Sequence, residues 1–217
     1  LRGARRWRHW RIGEGEDALL TGPVRQLAED ADGALWLGSY GGGVQARDAE
    51  GRVLHGFAAG AGLGMDSPEQ EQLSPGPDGA LWLAGPKGLR RWDGAAKRFR
   101  EIRGAPAAHV YGFAFAAPDT LWLHRMGALE GYRWDGRALA RLRVVDGGDG
   151  LPAAESGGLL VHRAGVVWLA SARGLLRYDP VAARLRSFGV RDGLPSQELQ
   201  VQAPLLLPSG MALASSN

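Results

Sequence analysis

The chain has 217 residues, 45% hydrophobic and 23% charged, with 34 glycines, 12 prolines and no cysteine. That is enough chain to bury a core, and the lack of cysteine excludes both a disulfide framework and a thiolate metal site. With 26 basic against 23 acidic residues the formal net charge is only +3, too balanced for a nucleic-acid-binding surface.

In chain order, residues 5–12 alternate basic residues with Trp7 and Trp10 and are predicted to form the outer strand of a partial blade. Gly13 to Gly22 is a polar connector carrying Glu14, Glu16 and Asp17. The first full unit is predicted over 24–57, followed by a crossing of small residues up to Pro68. The next units are predicted over 71–102, 109–145 and 158–188, and a last partial unit over 201–216. No signal peptide or membrane-length apolar run is present, and the start at Leu1 reads as a piece of a longer protein.

The units share one motif. Asp32-Gly33-Ala34-Leu35-Trp36-Leu37-Gly38 recurs at Asp78 to Ala84 and, degraded, at Asp119 to Leu123 and Gly165 to Ala170. Their tryptophans, Trp36, Trp82, Trp122 and Trp168, are 46, 40 and 46 residues apart, a period typical of propeller blades and solenoid units. Asp-Gly is a strong hairpin turn, and the apolar runs on either side have strand length. Leu-Trp-Leu is apolar on both faces, which suits a strand clamped between neighbouring sheets, so the four tryptophans are predicted to be core residues. Two further strands complete each unit, as Leu175 to Tyr178 and Leu185 to Phe188 do in the fourth. The prediction is an all-β propeller of four-stranded antiparallel blades with about five blade equivalents, or a fragment of a larger ring. An open ring would leave unpaired edges and favour a homodimer.

As a set, the Asp-Gly-Ala-Leu-Trp-Leu-Gly motif, the corner Ser39-Tyr40-Gly41-Gly42-Gly43, Leu175 to Pro180, and Asp-Gly-Leu-Pro at both Asp149 and Asp192 resemble the two-component regulator propeller repeat. That repeat forms the extracytoplasmic sensor region of bacterial hybrid histidine kinases and diguanylate cyclases. The resemblance implies a periplasmic, non-catalytic signal-receiving module that takes a small molecule or saccharide. It also implies a downstream β-sandwich leading to a membrane-linked output domain. It supplies no cofactor and no ligand-binding residues of its own.

Chemistry is sparse in the pattern. The five histidines, His9, His55, His109, His124 and His162, lack zinc spacing, and no serine sits in a nucleophile elbow. Asp146 to Gly150 lacks the spacing of a calcium loop, and its return at Asp192 to Glu198 points to a repeated loop conformation. The loops leaving the tryptophan strands are expected at the channel mouth. They place Tyr40, Lys87, His124, Arg125 and Arg173 there as candidate ligand-binding residues, with Lys87 and Arg173 each five residues after a tryptophan. Such a positive rim would draw an anionic or polyhydroxylated ligand. The enzymatic alternative is a propeller lyase of the streptogramin-lyase type, which uses a histidine and a metal ion; a ligand-free interaction scaffold is the third class.

Overall fold

The computed structural model of the protein describes residues 8–13, 15–20, 23–39, 41–58, 71–117, 119–162, 165–199, 203–207 and 209–216. Strands β1 (Val24–Glu29), β2 (Leu35–Ser39), β3 (Gly43–Arg47) and β4 (Val53–Phe57) form the first blade. The second contains β5 (Gln72–Pro75), β6 (Leu81–Gly85), β7 (Gly88–Asp93) and β8 (Arg98–Glu101). The third contains β9 (Gly112–Ala117), β10 (Thr120–Arg125), β11 (Ala128–Trp134) and β12 (Leu139–Val145). The fourth contains β13 (Ser156–Val161), β14 (Val167–Ser171), β15 (Gly174–Asp179) and β16 (Arg184–Phe188). Within each blade the strands are antiparallel and hydrogen-bond in sequence order, so the chain is an all-β propeller. A two-stranded sheet, β17 (Leu205–Leu206) with β18 (Ala212–Leu213), follows.

The hairpin between the first two strands of a blade forms where Asp-Gly lets the backbone reverse. Gly33 and Gly79 hold φ of 79° and 75°, a region open to glycine at little cost. In the third blade, where that glycine is missing, β9 and β10 still pair, with Thr120 opposite Ala117. The two Asp-Gly-Leu-Pro segments adopt one conformation: short 3-10 turns at Gly147–Asp149 and Val190–Asp192, each closed by its aspartate onto the backbone three residues earlier.

First strands gather at the axis. β1 packs on β5 and β9 on β13, while β5 reaches β9 through the Gln72 side chain. The core is three slabs between consecutive blades, not one central volume. Each slab is wedged by a tryptophan from the earlier blade. Trp36 packs edge-on against Trp92 and Phe99, Trp82 against Phe115 and Trp134, and Trp122 against Tyr178. Trp36, Trp82 and Trp122 are buried, but Trp168 is only half-buried, contrary to its expected core position. Its ring stacks on Phe188 of its own blade, not on a following blade as the other three do.

The predicted strand over 5–12 is also absent from its described part. Residues 8–12 form no strand, and Ile12 makes only an isolated parallel bridge to Leu19; residues 5–7 lie outside the described set. The segment instead lies over the first blade. The Arg47 guanidinium sits 4.7 Å from the Trp10 ring centroid and donates to the Asp17 and Ala18 carbonyls. A buried arginine thus takes the place of a strand pairing, since its charge must be met by acceptors. Among the described residues nothing pairs residues 8–20 with β17 or β18.

Candidate functional site

Antiparallel alternation brings the end of each second strand and the entry to each first strand to the same face. Backbone bonds from Glu71 to Ala84 (3.0 Å) and from Tyr111 to His124 (2.9 Å) mark that face in the second and third blades. Glu71, Tyr111 and Glu155 are the residues immediately preceding β5, β9 and β13, so three consecutive blades each deliver one to the mouth of the axis.

Around Tyr111 they form a continuous polar cluster. His109 Nε2 lies 2.9 Å from Glu71 Oε1, and the His109 ring stacks on Tyr111 with centroids 4.2 Å apart. The His124 ring also lies near Tyr111, centroids 5.8 Å apart, and its Nδ1 is 2.8 Å from Ser156 Oγ. Ser156 follows Glu155, the exposed residue that precedes β13. Burial raises the Tyr111 pKa, and the negative charges of Glu155 and then Glu71 raise it further. The phenol therefore stays protonated at neutral pH.

His124 and Ser156 have the spacing of a base and a nucleophile, but they are 1% and 4% exposed. Burial pulls His124 down to about 4, so the ring is neutral at pH 7 and sealed from any substrate. Here the pair works as a polar bridge between blades. The register explains why it stands out. His124 is two residues after its tryptophan, where the other blades carry Gly38, Ala84 and Ala170.

The other predicted site residues separate. Tyr40 lies outside the described residues. Lys87 and Arg173 are exposed at equivalent corners, between β6 and β7 and between β14 and β15. Arg125 closes β10 and directs Nη1 to Glu130 Oε1 at 3.1 Å; Glu130 is buried and also accepts from the Tyr132 hydroxyl. With His124 neutral and Arg125 paired, Lys87 and Arg173 are the described members of the predicted rim that present charge to solvent. Glu71, His109, Tyr111 and Glu155 were not singled out from the sequence as ligand-binding residues. Their signal was positional: an acidic or aromatic residue directly before each of three first strands.

Four-stranded blades around an axis, with a polar cluster at one mouth, define the chain as a β-propeller. More particularly, residues 18–41 match the two component regulator propeller family, so the chain carries that repeat. No curated protein matches it in sequence. Among solved structures it is similar to the extracellular domain of a protein from B. thetaiotaomicron described as a one component system. The two share 15% identity at a TM-score of 0.72, over 94% of this chain and 27% of that one. A second, from the same organism and described as a hybrid two component system, shares 17% identity at a TM-score of 0.62, over 96% of this chain and 33% of that one. A gluconolactonase from Xanthomonas campestris shares 19% identity at a TM-score of 0.63, over 88% and 68%. At these identities the likeness establishes the fold. The chain spans about a quarter to a third of the length of the two B. thetaiotaomicron structures.

Proposed function

We propose that the chain is the ligand-receiving propeller of a periplasmic bacterial receptor, part of a two-component or cyclic-di-GMP signalling protein, and that it is not itself a catalyst. The observation that carries this reading is the placement of Glu71, Tyr111 and Glu155 directly before the first strands of three consecutive blades, in a chain bearing the two-component regulator propeller repeat. Its likeness in fold to two extracellular receptor domains supports it. Among the described residues no helix is long and apolar enough to cross a membrane. A membrane-linked output domain would therefore be supplied by other parts of a longer protein. Ligand binding at the mouth would signal by changing how the propeller meets its neighbours. A homodimer would use the β17–β18 edge, where Leu205, Met211 and Leu213 are exposed, and light scattering on the purified chain reads that directly.

The propeller-lyase reading needs an accessible histidine and a metal ion. His124 is sealed and His55 is packed against Trp36 and Trp92, whereas His9 is exposed and His109, held by Glu71 and Tyr111, is partly exposed, so what weighs against this reading is the lack of a metal position among the described residues. Among the described residues no three of His, Cys, Asp and Glu converge on a metal position. A metabolite screen by thermal shift tests the receptor reading, because a ligand that binds only the folded state raises its melting midpoint. The expected result is a compound that raises the midpoint and is recovered unchanged. A compound that is turned over, with lactone opening or ring elimination, overturns the reading.

A further inference from the structure

We infer that Asp32 is a site of spontaneous backbone modification: in the folded protein its side chain condenses with the Gly33 amide and reopens as an isoaspartyl link. The turn that carries it joins β1 to β2, at the opposite face from the mouth, so the modification is independent of what the propeller receives.

Such a reaction needs a carboxyl free to turn onto the following amide nitrogen, an oxygen able to leave as water, and no side chain crowding that nitrogen. Glycine meets the last requirement after Asp32, Asp78, Asp93, Asp135, Asp146, Asp149 and Asp192. At all of these but Asp32 the fold holds the carboxylate. Asp78 Oδ2 accepts from Arg91 Nε at 2.9 Å while its Oδ1 accepts from Ala80 N–H. Asp93 is held by Ala96 N–H and Arg100, and Asp135 by the Arg137 and Ala138 N–H groups. Asp146, Asp149 and Asp192 each accept a backbone N–H within their own short turns. These donors fix the side-chain torsion and favour the ionised form, whose oxygen is a poor leaving group. Accepted backbone N–H groups accordingly hold Asp93 and Asp135 below the ordinary carboxylate range.

Asp32 is exposed, and among the described residues its carboxylate has no hydrogen bond or ion pair. Its neighbour organises the turn instead. Asp30 Oδ1 accepts from Asp32 N–H and Ala34 N–H, each at 3.0 Å, and the Asp30 carbonyl accepts from Gly33 N–H at 3.1 Å. The Asp32 side chain can therefore rotate without unmaking the hairpin. The Gly33 bond must open before its nitrogen attacks, and an exposed turn opens at low cost. The nitrogen then bonds to Asp32 Cγ, the side-chain hydroxyl leaves as water with the amide proton, and a succinimide closes. Water adding at the main-chain carbonyl breaks the original peptide bond and leaves Gly33 joined through Cγ; water adding at Cγ restores aspartate. The isoaspartyl product lengthens the main chain where the first two blades touch. Ala31 N–H donates to the Gly79 carbonyl at 3.1 Å from turn to turn, and a Cβ on Gly79 would lie 2.3 Å from the Ala31 Cβ. Modification thus shifts Ala31 against Gly79 and loosens that boundary.

The experiment is ageing of the folded 217-residue chain, then peptide mapping with electron-transfer fragmentation, which tells isoaspartyl from aspartyl peptides of equal mass. Ageing is at about 37 °C and about pH 6, where roughly one ordinary aspartate in a hundred is protonated. Asp32 is expected to gain isoaspartate at least about fivefold faster than each of the other Asp-Gly positions, and the spread should collapse in urea, where every carboxylate is released. Asp32→Glu, which would need a larger ring, should abolish the product there and leave the thermal midpoint at the parent value. Isoaspartate appearing first at a held position, or equally at all of them in the folded chain, overturns the inference. So does its absence at Asp32 in a folded sample when the urea-aged chain has formed it. A spread that persists in urea overturns it as well, because local sequence and not the fold would then set the rate.

Discussion

The boundary between the first and second blades and that between the third and fourth join their axial strands by different means. At the first, Gln26 uses both ends of its side-chain amide, donating to the Glu71 carbonyl and accepting from Leu73 N–H; Gln72 repeats this toward Phe113 in the next blade. At the last, the corresponding residues are Gly112 and Gly158, and the strands meet backbone to backbone. A Cβ on Gly112 would lie 2.6 Å from the Gly158 Cα. The polar link moves outward to His124 and Ser156. The common requirement is a satisfied backbone at the axis, and it leaves the side chain free to vary. Where the glutamine is given up, a histidine is buried and the mouth acquires its polar cluster.

The largest effect separates a completed boundary from an incomplete one. Trp36→Ala should cost roughly 3–5 kcal/mol, because a buried ring in contact with Phe57, Trp92 and Phe99 leaves a cavity. Trp168→Ala should cost less than about half of that, its ring being half-buried against its own blade. Urea unfolding of both variants measures the difference. Equal costs would mean that the fourth blade is covered as fully as the first.

Acid should distinguish the boundaries next. Because His124 is held near 4 when folded, against an ordinary value near 6.5, the unfolded chain binds a proton in that interval that the folded chain refuses. This contribution to stability is fully present above pH 6.5 and lost as pH falls toward 4, by roughly 3 kcal/mol over the interval. His124→Ala, which installs the residue found at Ala84 and Ala170, should lower stability at neutral pH and remove this part of the acid dependence. An unchanged pH profile in denaturant titrations of that variant would show that another group carries it.

The blades could be read from the sequence because their signal is local. A turn residue, a strand-length apolar run and a tryptophan recur together, and each acts on its nearest neighbours. The mouth could not be read the same way. Glu71, Tyr111 and Glu155 are far apart in sequence and meet only because three first strands share one axis. His124 was visible as a candidate but was placed in a loop; its departure from the small residues at the same register was the clue that it is buried within β10. Residues 8–12 failed in the opposite sense. Their alternation of Trp and Arg imitates a strand, but pairing needs a partner strand, and Arg47 offers Trp10 a cation–π contact instead.

Tryptophan chemistry gives a finer comparison between the first two slabs. Trp36 Nε1 donates to the Asp30 carboxylate at 2.7 Å, while Trp82 Nε1 is buried without a partner among the described residues. The residue at the Asp30 register in the second blade is Gly76, packed so closely that a Cβ there would lie 2.3 Å from that nitrogen. Trp36→Phe should therefore cost about 1.5–3 kcal/mol more than Trp82→Phe, the worth of a charge-assisted bond. Similar losses in parallel denaturant melts would assign both tryptophans to packing alone.

The smallest effect bears on where the ligand is held. Lys87 and Arg173 are exposed corner residues, so the double variant Lys87→Ala, Arg173→Ala should change stability by no more than about 0.5 kcal/mol. If a charged ligand is held at the inner mouth without touching the corners, removing two outer cations should change its binding by less than about twofold at low salt. The change should vanish once the Debye length contracts to about 8 Å at physiological ionic strength. A clear loss of binding with stability intact would move the site outward to the corners and make the ligand an anion. One titration series at two salt concentrations thus separates direct contact from field: contact with the corners would leave a loss that persists in salt, whereas the field of distant charges would not.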